Sequence, residues 1–209
     1  MTPERRLHTD TDDGMLLIIS GPSGVGKTTI TRGVERAVSD SVFSVSATTR
    51  DKTDADVEGV DYRFVTNGQF QTMIDADALL EWADVFGRRY GTPEAWVDEQ
   101  LARGRLVILE IDVEGAKQVK AKRPDAFGLF VLPPSEDVLL DRLRSRRRES
   151  EELIQRRFSG AKREIREARA CEAYDAFVVN DDLDRAISEA LELVRAARGA
   201  RRGESAPKR

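Results

Sequence analysis

Short runs rich in apolar and β-branched residues recur along the chain, at residues 16–19, 42–49, 106–111, 127–132 and 176–179. Between them lie stretches whose apolar residues return at helical spacing, at 29–38, 116–122, 135–144, 151–173 and 183–198. Near-continuous apolar strands that alternate with helices predict a parallel sheet covered on both faces. Ser135, just after Pro133 and Pro134, is placed to cap the helix that follows. Residues 46–95 break this rhythm. They mix short alternating segments, such as Tyr62-Arg63-Phe64-Val65, with a helix at 69–74 and a turn-rich stretch at 87–93. They are expected to form an inserted, mostly β subdomain. Residues 146–155 are polar throughout and lie between two helices, which suits a mobile lid. There is no internal repeat.

The first apolar run leads into a glycine loop of the form G-x-x-x-x-G-K-T: Gly21, Pro22, Ser23, Gly24, Val25, Gly26, Lys27 and Thr28, with Thr29 opening the next helix. Such a loop turns backbone N–H groups toward a di- or triphosphate, and glycine permits the close approach. Lys27 would reach the β- and γ-phosphates, and the Thr28 hydroxyl would ligand Mg²⁺. A second signal is Leu106-Val-Ile-Leu-Glu-Ile-Asp112, which places Glu110 and Asp112 at the carboxyl end of a buried strand, where such sheets bind ligands. Asp112 would hold Mg²⁺ through water or orient an acceptor; equally, it would cap the following helix.

Composition narrows the remaining options. A 209-residue chain with 40% hydrophobic residues suits one compact domain with an insertion. No apolar run is long enough to span a membrane, and the polar stretch at 1–14 lacks the apolar centre of a signal peptide. Cys171 is the single cysteine and cannot form an internal disulfide, so a reduced, cytoplasmic setting is expected. The net charge of −4 argues weakly against nucleic-acid binding. The arginine-rich stretch 142–148, followed by Arg156 and Arg157, reads in two ways. It is a solvated helix face with acidic partners at Glu149, Glu151 and Glu152, or Arg142, Arg146 and Arg157 close over a transferring phosphoryl group. The lone histidine, His8, lies in the expected N-terminal tail, and there is neither a Cys/His cluster nor a Ser-His-Asp set. Chemistry would therefore run on positioning, cations and carboxylates, which suffices for phosphoryl transfer.

Taken together, these stretches and several others make the chain resemble the guanylate kinase family over about residues 15–195. The resemblance is carried by the loop at 21–28, by Ser44-Val-Ser-Ala-Thr-Thr-Arg50, Gly59-Val-Asp-Tyr62, Leu80-Glu-Trp-Ala83 and Tyr90-Gly-Thr92, and by Glu110-Ile-Asp-Val-Glu-Gly115, Leu132-Pro-Pro-Ser135 and Val179-Asn-Asp-Asp182. It implies a P-loop α/β fold in which a core (14–45 and 96–199) carries a GMP-binding subdomain (46–95) and a lid (about 144–158), with flexible tails at 1–13 and 200–209. It implies ATP-dependent phosphorylation of GMP, and of dGMP, with Mg²⁺. By the resemblance, Arg50, Tyr62 and Tyr90 hold the GMP phosphate, and Ser46, Glu81 and Thr92 read guanine. Asp112 lies near metal and GMP, Arg142, Arg146 and Arg157 belong to the lid region, and Asn180 lies near adenine. Without the resemblance, Tyr62 and Tyr90 read as packing aromatics and Glu81-Trp82-Ala83 as an ordinary amphipathic strand. The expected partners are small nucleotides, with no nucleic-acid polymer and no membrane; a homo-oligomer stays open.

The chain departs from the family pattern twice. Thr53 stands where the family carries a second phosphate-binding arginine, and a hydroxyl cannot replace a bidentate cation. Weaker GMP binding is the expected result, and a different phosphate-ester acceptor is the alternative. Arg146-Arg147-Arg148 stands where the family has Arg-Gly, which removes a hinge glycine and adds charge. A non-catalytic binding module is a further reading, but the complete loop and Asp112 speak against it.

Overall fold

The computed structural model describes residues 14–145 and 150–201. Sixteen elements follow one another: β1 (Met15–Ser20), α1 (Lys27–Ala37), β2 (Ser41–Phe43), β3 (Ala47–Thr48), β4 (Arg63–Phe64), α2 (Asn67–Asp75), β5 (Leu79–Val85) and β6 (Arg88–Pro93), then α3 (Glu94–Ala102), β7 (Leu106–Glu110), α4 (Val113–Lys122), β8 (Phe127–Leu132), α5 (Glu136–Ser145), α6 (Glu151–Ala170), β9 (Ala176–Val179) and α7 (Leu183–Arg201).

Five strands form a parallel sheet in the order β2-β7-β1-β8-β9. Successive side chains of each strand enter opposite faces, so one sheet feeds two cores. Leu16, Ile18, Val107, Leu109 and Phe130 pack with Val97 of α3, Val113, Ala116 and Val119 of α4 and Ala168 of α6. Met15, Leu17, Ile19, Ile108 and Val131 pack with Ile30 and Val34 of α1 and Ala186, Ala190 and Val194 of α7. Each large aliphatic group buried in this way contributes roughly 1.5–3 kcal/mol. The alternating pattern therefore gives the parallel, doubly covered sheet expected from it. The chain first winds from β1 to β2 and β7 on one side, then crosses to β8 and β9 on the other. That reversal beside β1 opens a crevice at the carboxyl ends of the strands, where the glycine loop sits.

The insertion forms a second sheet in the order β4-β3-β6-β5, parallel between β3 and β4 and antiparallel elsewhere. Residues 42–49, read as one strand, are two: β2 joins the large sheet and β3 the small one. The polar step at Ser44 and Ser46 is where the chain changes sheets. Helix α3, which was not expected, connects the small sheet back to β7. A capping box between Thr66 and Gln69 starts α2, and the Ser135 hydroxyl accepts from the Val138 amide at 3.2 Å to start α5. The described part of the expected lid is helical apart from Ser150, the N-cap of α6: Arg144 and Ser145 end α5, and α6 begins at Glu151. Leu139 and Leu143 of α5 pack on Ile154 of α6, with Phe158 beside them. Residues 146–149 lie outside the described residues, as do 1–13 and 202–209, and with them Arg146 and His8. Helix α7 reaches Arg201, two residues into the stretch expected as a C-terminal tail.

Candidate active site at the P-loop and the small sheet

The glycine loop wraps the N-terminus of α1. Gly26 takes φ +91°, and a Cβ there would lie 2.5 Å from the Asn180 Nδ2, so the position requires glycine twice over. Among the described residues no side chain caps α1, and its first turn carries no acidic residue. The helix therefore offers its positive end to an anion. The loop is braced from behind. Asn180, buried, donates from Nδ2 to the Val25 carbonyl at 2.7 Å. Arg142 donates to the Asn180 carbonyl at 2.9 Å, and Arg157 donates to the Ser23 hydroxyl at 2.6 Å.

These contacts sharpen the expected roles. Arg157 meets the loop directly. Arg142, which one reading placed over a transferring group, donates to the segment that holds the loop, at the end of β9. Asn180 spends its amide on the loop backbone.

A cavity of about 400 Å³ opens on the loop, lined by Lys27, Thr28, Thr29, Glu110, Asp112 and Glu164 as well as by the glycines. Lys27 folds back onto the Gly21 carbonyl at 3.0 Å, and the Thr28 hydroxyl donates to Glu110 at 2.8 Å. Glu164 was not singled out from the sequence. It lies seven residues after Arg157, two turns along α6, and so shares its face. Burial holds its carboxyl above the usual carboxylate range, and Asp112 pushes it the same way while Lys27 opposes. The oxygen donors here suit a hard cation. Among the described residues no group of three or more carboxylate, histidine or cysteine side chains forms a protein cage.

The small sheet supplies the other half. Glu81 is buried, although it sits next to the exposed Trp82 and after the buried Leu79 and Leu80. Three consecutive buried residues do not fit a pleat. The register between β5 and β6 slips by one residue between Leu79 and Trp82, a bulge that turns Glu81 inward. Its Oε1 accepts from the buried Thr92 hydroxyl at 2.6 Å. Burial raises the Glu81 pKa, the Thr92 hydrogen bond lowers it, and nearby Asp112 raises it further. Asp112 caps α4, its Oδ1 accepting from the Gly115 amide at 2.8 Å. A Cβ on Gly115 would lie 3.2 Å from Glu81 Oε2 and 3.4 Å from Asp112 Oδ1, so this glycine lets the two carboxylates share one wall. Asp112 thus caps a helix and also joins the loop cavity to Glu81.

Farther along the small sheet, Tyr62 and Tyr90 meet edge to face, with ring centroids 5.8 Å apart. Arg50 follows β3 and lies over the Tyr62 and Phe64 rings at 5.2 and 5.4 Å. Ser46 precedes β3, and its carbonyl accepts from the Arg63 amide at 2.9 Å. The structure therefore brings Arg50, Tyr62 and Tyr90 together, and Glu81 with Thr92 and Asp112.

A glycine loop on a parallel sheet, with Asp112 joining its cavity to the Glu81–Thr92 pair of the inserted sheet, defines a P-loop α/β protein. Comparison with known proteins agrees. The guanylate kinase family model matches residues 13–197. The guanylate kinase of Carboxydothermus hydrogenoformans is 47% identical over 181 residues, 87% of each chain. That of Myxococcus xanthus is 46% identical over 185 residues, 88% of each chain. The crystal structure of guanylate kinase from Anaplasma phagocytophilum superposes with a TM-score of 0.65 at 29% identity, covering 91% of this chain and 89% of that one. The chain belongs to the guanylate kinase family.

Proposed function

We propose that the protein transfers the γ-phosphoryl group of ATP to GMP, and to dGMP, with ATP on the glycine loop and GMP against the small sheet. The observation that carries this reading is the buried Glu81–Thr92 pair next to Asp112, on the wall shared with the loop cavity. An ionised carboxylate accepts from guanine N1–H and N2–H₂. Adenine offers no such paired donors on that edge, and a buried acceptor left unpaired penalises it. Ser46 completes the base site, and Arg50, Tyr62 and Tyr90 receive the GMP phosphate.

That phosphate oxygen is largely anionic near neutral pH, so it needs alignment rather than a strong base. Lys27 and Arg157 face charge developing on the transferring group. Mg²⁺, bound through Thr28 and through water to Asp112, would neutralise phosphate charge. The stretch 144–158 serves as the lid and 46–95 as the acceptor subdomain, and closing them excludes water as a competing acceptor. Among the described residues no helix is long and apolar enough to cross a membrane. Curated relatives named guanylate kinase favour neither a changed acceptor nor a non-catalytic module. A coupled assay for ADP tests the proposal: Mg²⁺-dependent turnover with GMP supports it, and ATP turnover indifferent to GMP contradicts it.

A further inference from the structure

The protein itself holds the Arg50 guanidinium on one edge and against two aromatic rings. Nη1 and Nη2 take the two Asp56 oxygens end-on, at 3.0 and 2.7 Å, and Nη1 also donates to the Asp51 carbonyl at 3.0 Å. Of the five N–H donors of an arginine, these bonds leave Nε–H and one proton of Nη2. Both lie on one edge of the plane, and among the described residues no protein group takes either. The two aromatic faces of Tyr62 and Phe64 hold the plane itself.

Asp56 is anchored independently of Arg50. Its Oδ2 accepts from the Thr53 amide at 2.7 Å and from the Thr53 hydroxyl at 2.6 Å. Its own amide donates back to the Thr53 carbonyl at 3.1 Å. Thr53, the residue that stands in for an arginine, is therefore the base of a clamp. The clamp is mostly shielded, with the Asp56 side chain 13% exposed.

We infer that Asp56 is a positioning residue: anchored by Thr53, it occupies the end-on fork of Arg50 and thereby presents the Nε edge to the acceptor phosphate. The inference rests on the proposed role of Arg50. Arginine suits such double use because its two forks lie on different edges of one rigid plane. Fixing it in advance removes rotamer freedom that binding would otherwise cost. A site with one arginine, where two are usual, gains most from that saving. The opposite role, in which Asp56 competes with the phosphate for Arg50, requires the ligand to break two charge-assisted bonds to a carboxylate that Thr53 holds in place. The open edge makes that unnecessary.

The test compares wild type with Asp56→Asn, Asp56→Glu and Thr53→Val. Steady-state kinetics give KM for GMP and ATP, and guanosine, which lacks the phosphate, is measured as a competitive inhibitor. Asp56→Asn is expected to raise the GMP KM about tenfold, the size of one weakened charge-assisted bond. The change should fall on KM rather than kcat and leave guanosine inhibition and the ATP KM in place. Thr53→Val should move the GMP KM in the same direction by less, and Asp56→Glu should restore part of it. An unchanged or lower GMP KM in Asp56→Asn overturns the inference, as does equal weakening of GMP and guanosine. Wild-type protein that neither phosphorylates GMP nor is inhibited by guanosine overturns the reading of the site itself, and the inference with it.

Discussion

The two halves of the site are built in different ways. The donor half comes from one continuous stretch, residues 21–29, seated on the large sheet and braced by Asn180 and Arg157. The proposed acceptor half is gathered from Ser46, Arg50, Tyr62, Glu81, Tyr90 and Thr92, scattered over the small sheet and its loops. The donor half presents the uncapped start of α1 to its cavity, with Lys27 turned back onto the Gly21 carbonyl and carboxylates opposite. The acceptor half holds its side chains by pairwise contacts, Arg50 on Asp56 and Glu81 on Thr92, with one edge of Arg50 left open. Affinity on the donor side then depends on a backbone shape that few substitutions preserve. On the acceptor side it depends on pairwise polar contacts that can be changed singly.

Substitutions on each side should separate these halves. The largest effect is expected from Lys27→Ala, which removes a cation from the donor cavity. It should lower kcat by roughly 10³-fold while leaving GMP binding largely intact, as read in the coupled assay and by GMP titration. Equal loss of GMP affinity would mean the halves are not separable. Next comes Glu81→Gln, which replaces one acceptor oxygen with a donor. It should lower kcat/KM for GMP by about 10²-fold with the ATP KM unchanged.

The same glutamate sets a pH dependence. Its pKa is raised by burial, so acidification should weaken GMP binding at a higher pH than an ordinary glutamate would. Stability runs the other way. A carboxyl whose folded pKa is raised favours folding below its unfolded pKa, and that contribution is lost as pH rises through the folded value. Glu81→Gln should therefore melt higher than wild type at neutral pH while binding GMP less well.

Gly26→Ala tests the donor frame. With φ at +91° and Asn180 Nδ2 2.5 Å from the new Cβ, it should cost about 1–3 kcal/mol in thermal unfolding and reduce ATP affinity. The smallest effect belongs to Thr53→Arg. The residue 53 amide still reaches Asp56, so the clamp survives while a cation is added. The GMP KM should fall severalfold, roughly the worth of one more phosphate contact. No improvement would show that the arginine missing at 53 does not limit acceptor binding.

This difference in construction also decided what could be read along the chain. The loop is a local pattern between a buried strand and a helix, so its cavity followed from a few neighbouring residues. The large sheet was legible because its strands are apolar on both faces. The small sheet was legible only as a mostly β insertion at 46–95; its individual strands were not, since β3 and β4 are two residues each and 42–49 reads as one strand. Glu81 read as an ordinary strand residue because a bulge, set by pairing with β6, turns it inward. Its role was reached through resemblance rather than periodicity. The contact of Asp56 with Arg50 and Thr53 is a loop conformation with no periodic signature. Glu164 had one, the two-turn spacing from Arg157, but it lay among many charged residues of α6. Arg142 was read from its place in a basic cluster, and its hydrogen bond to the Asn180 carbonyl had no signature along the chain.

The central claim is that a guanine-reading acceptor site faces the ATP loop, and an acceptor screen tests it most directly. Wild-type protein, ATP and Mg²⁺ are assayed with GMP, dGMP, AMP, CMP and UMP, and kcat/KM is compared. The account predicts that GMP and dGMP exceed the others by at least about 10²-fold, as expected where a buried carboxylate must be paired. Comparable turnover with AMP, or preference for a non-guanine acceptor, would contradict it.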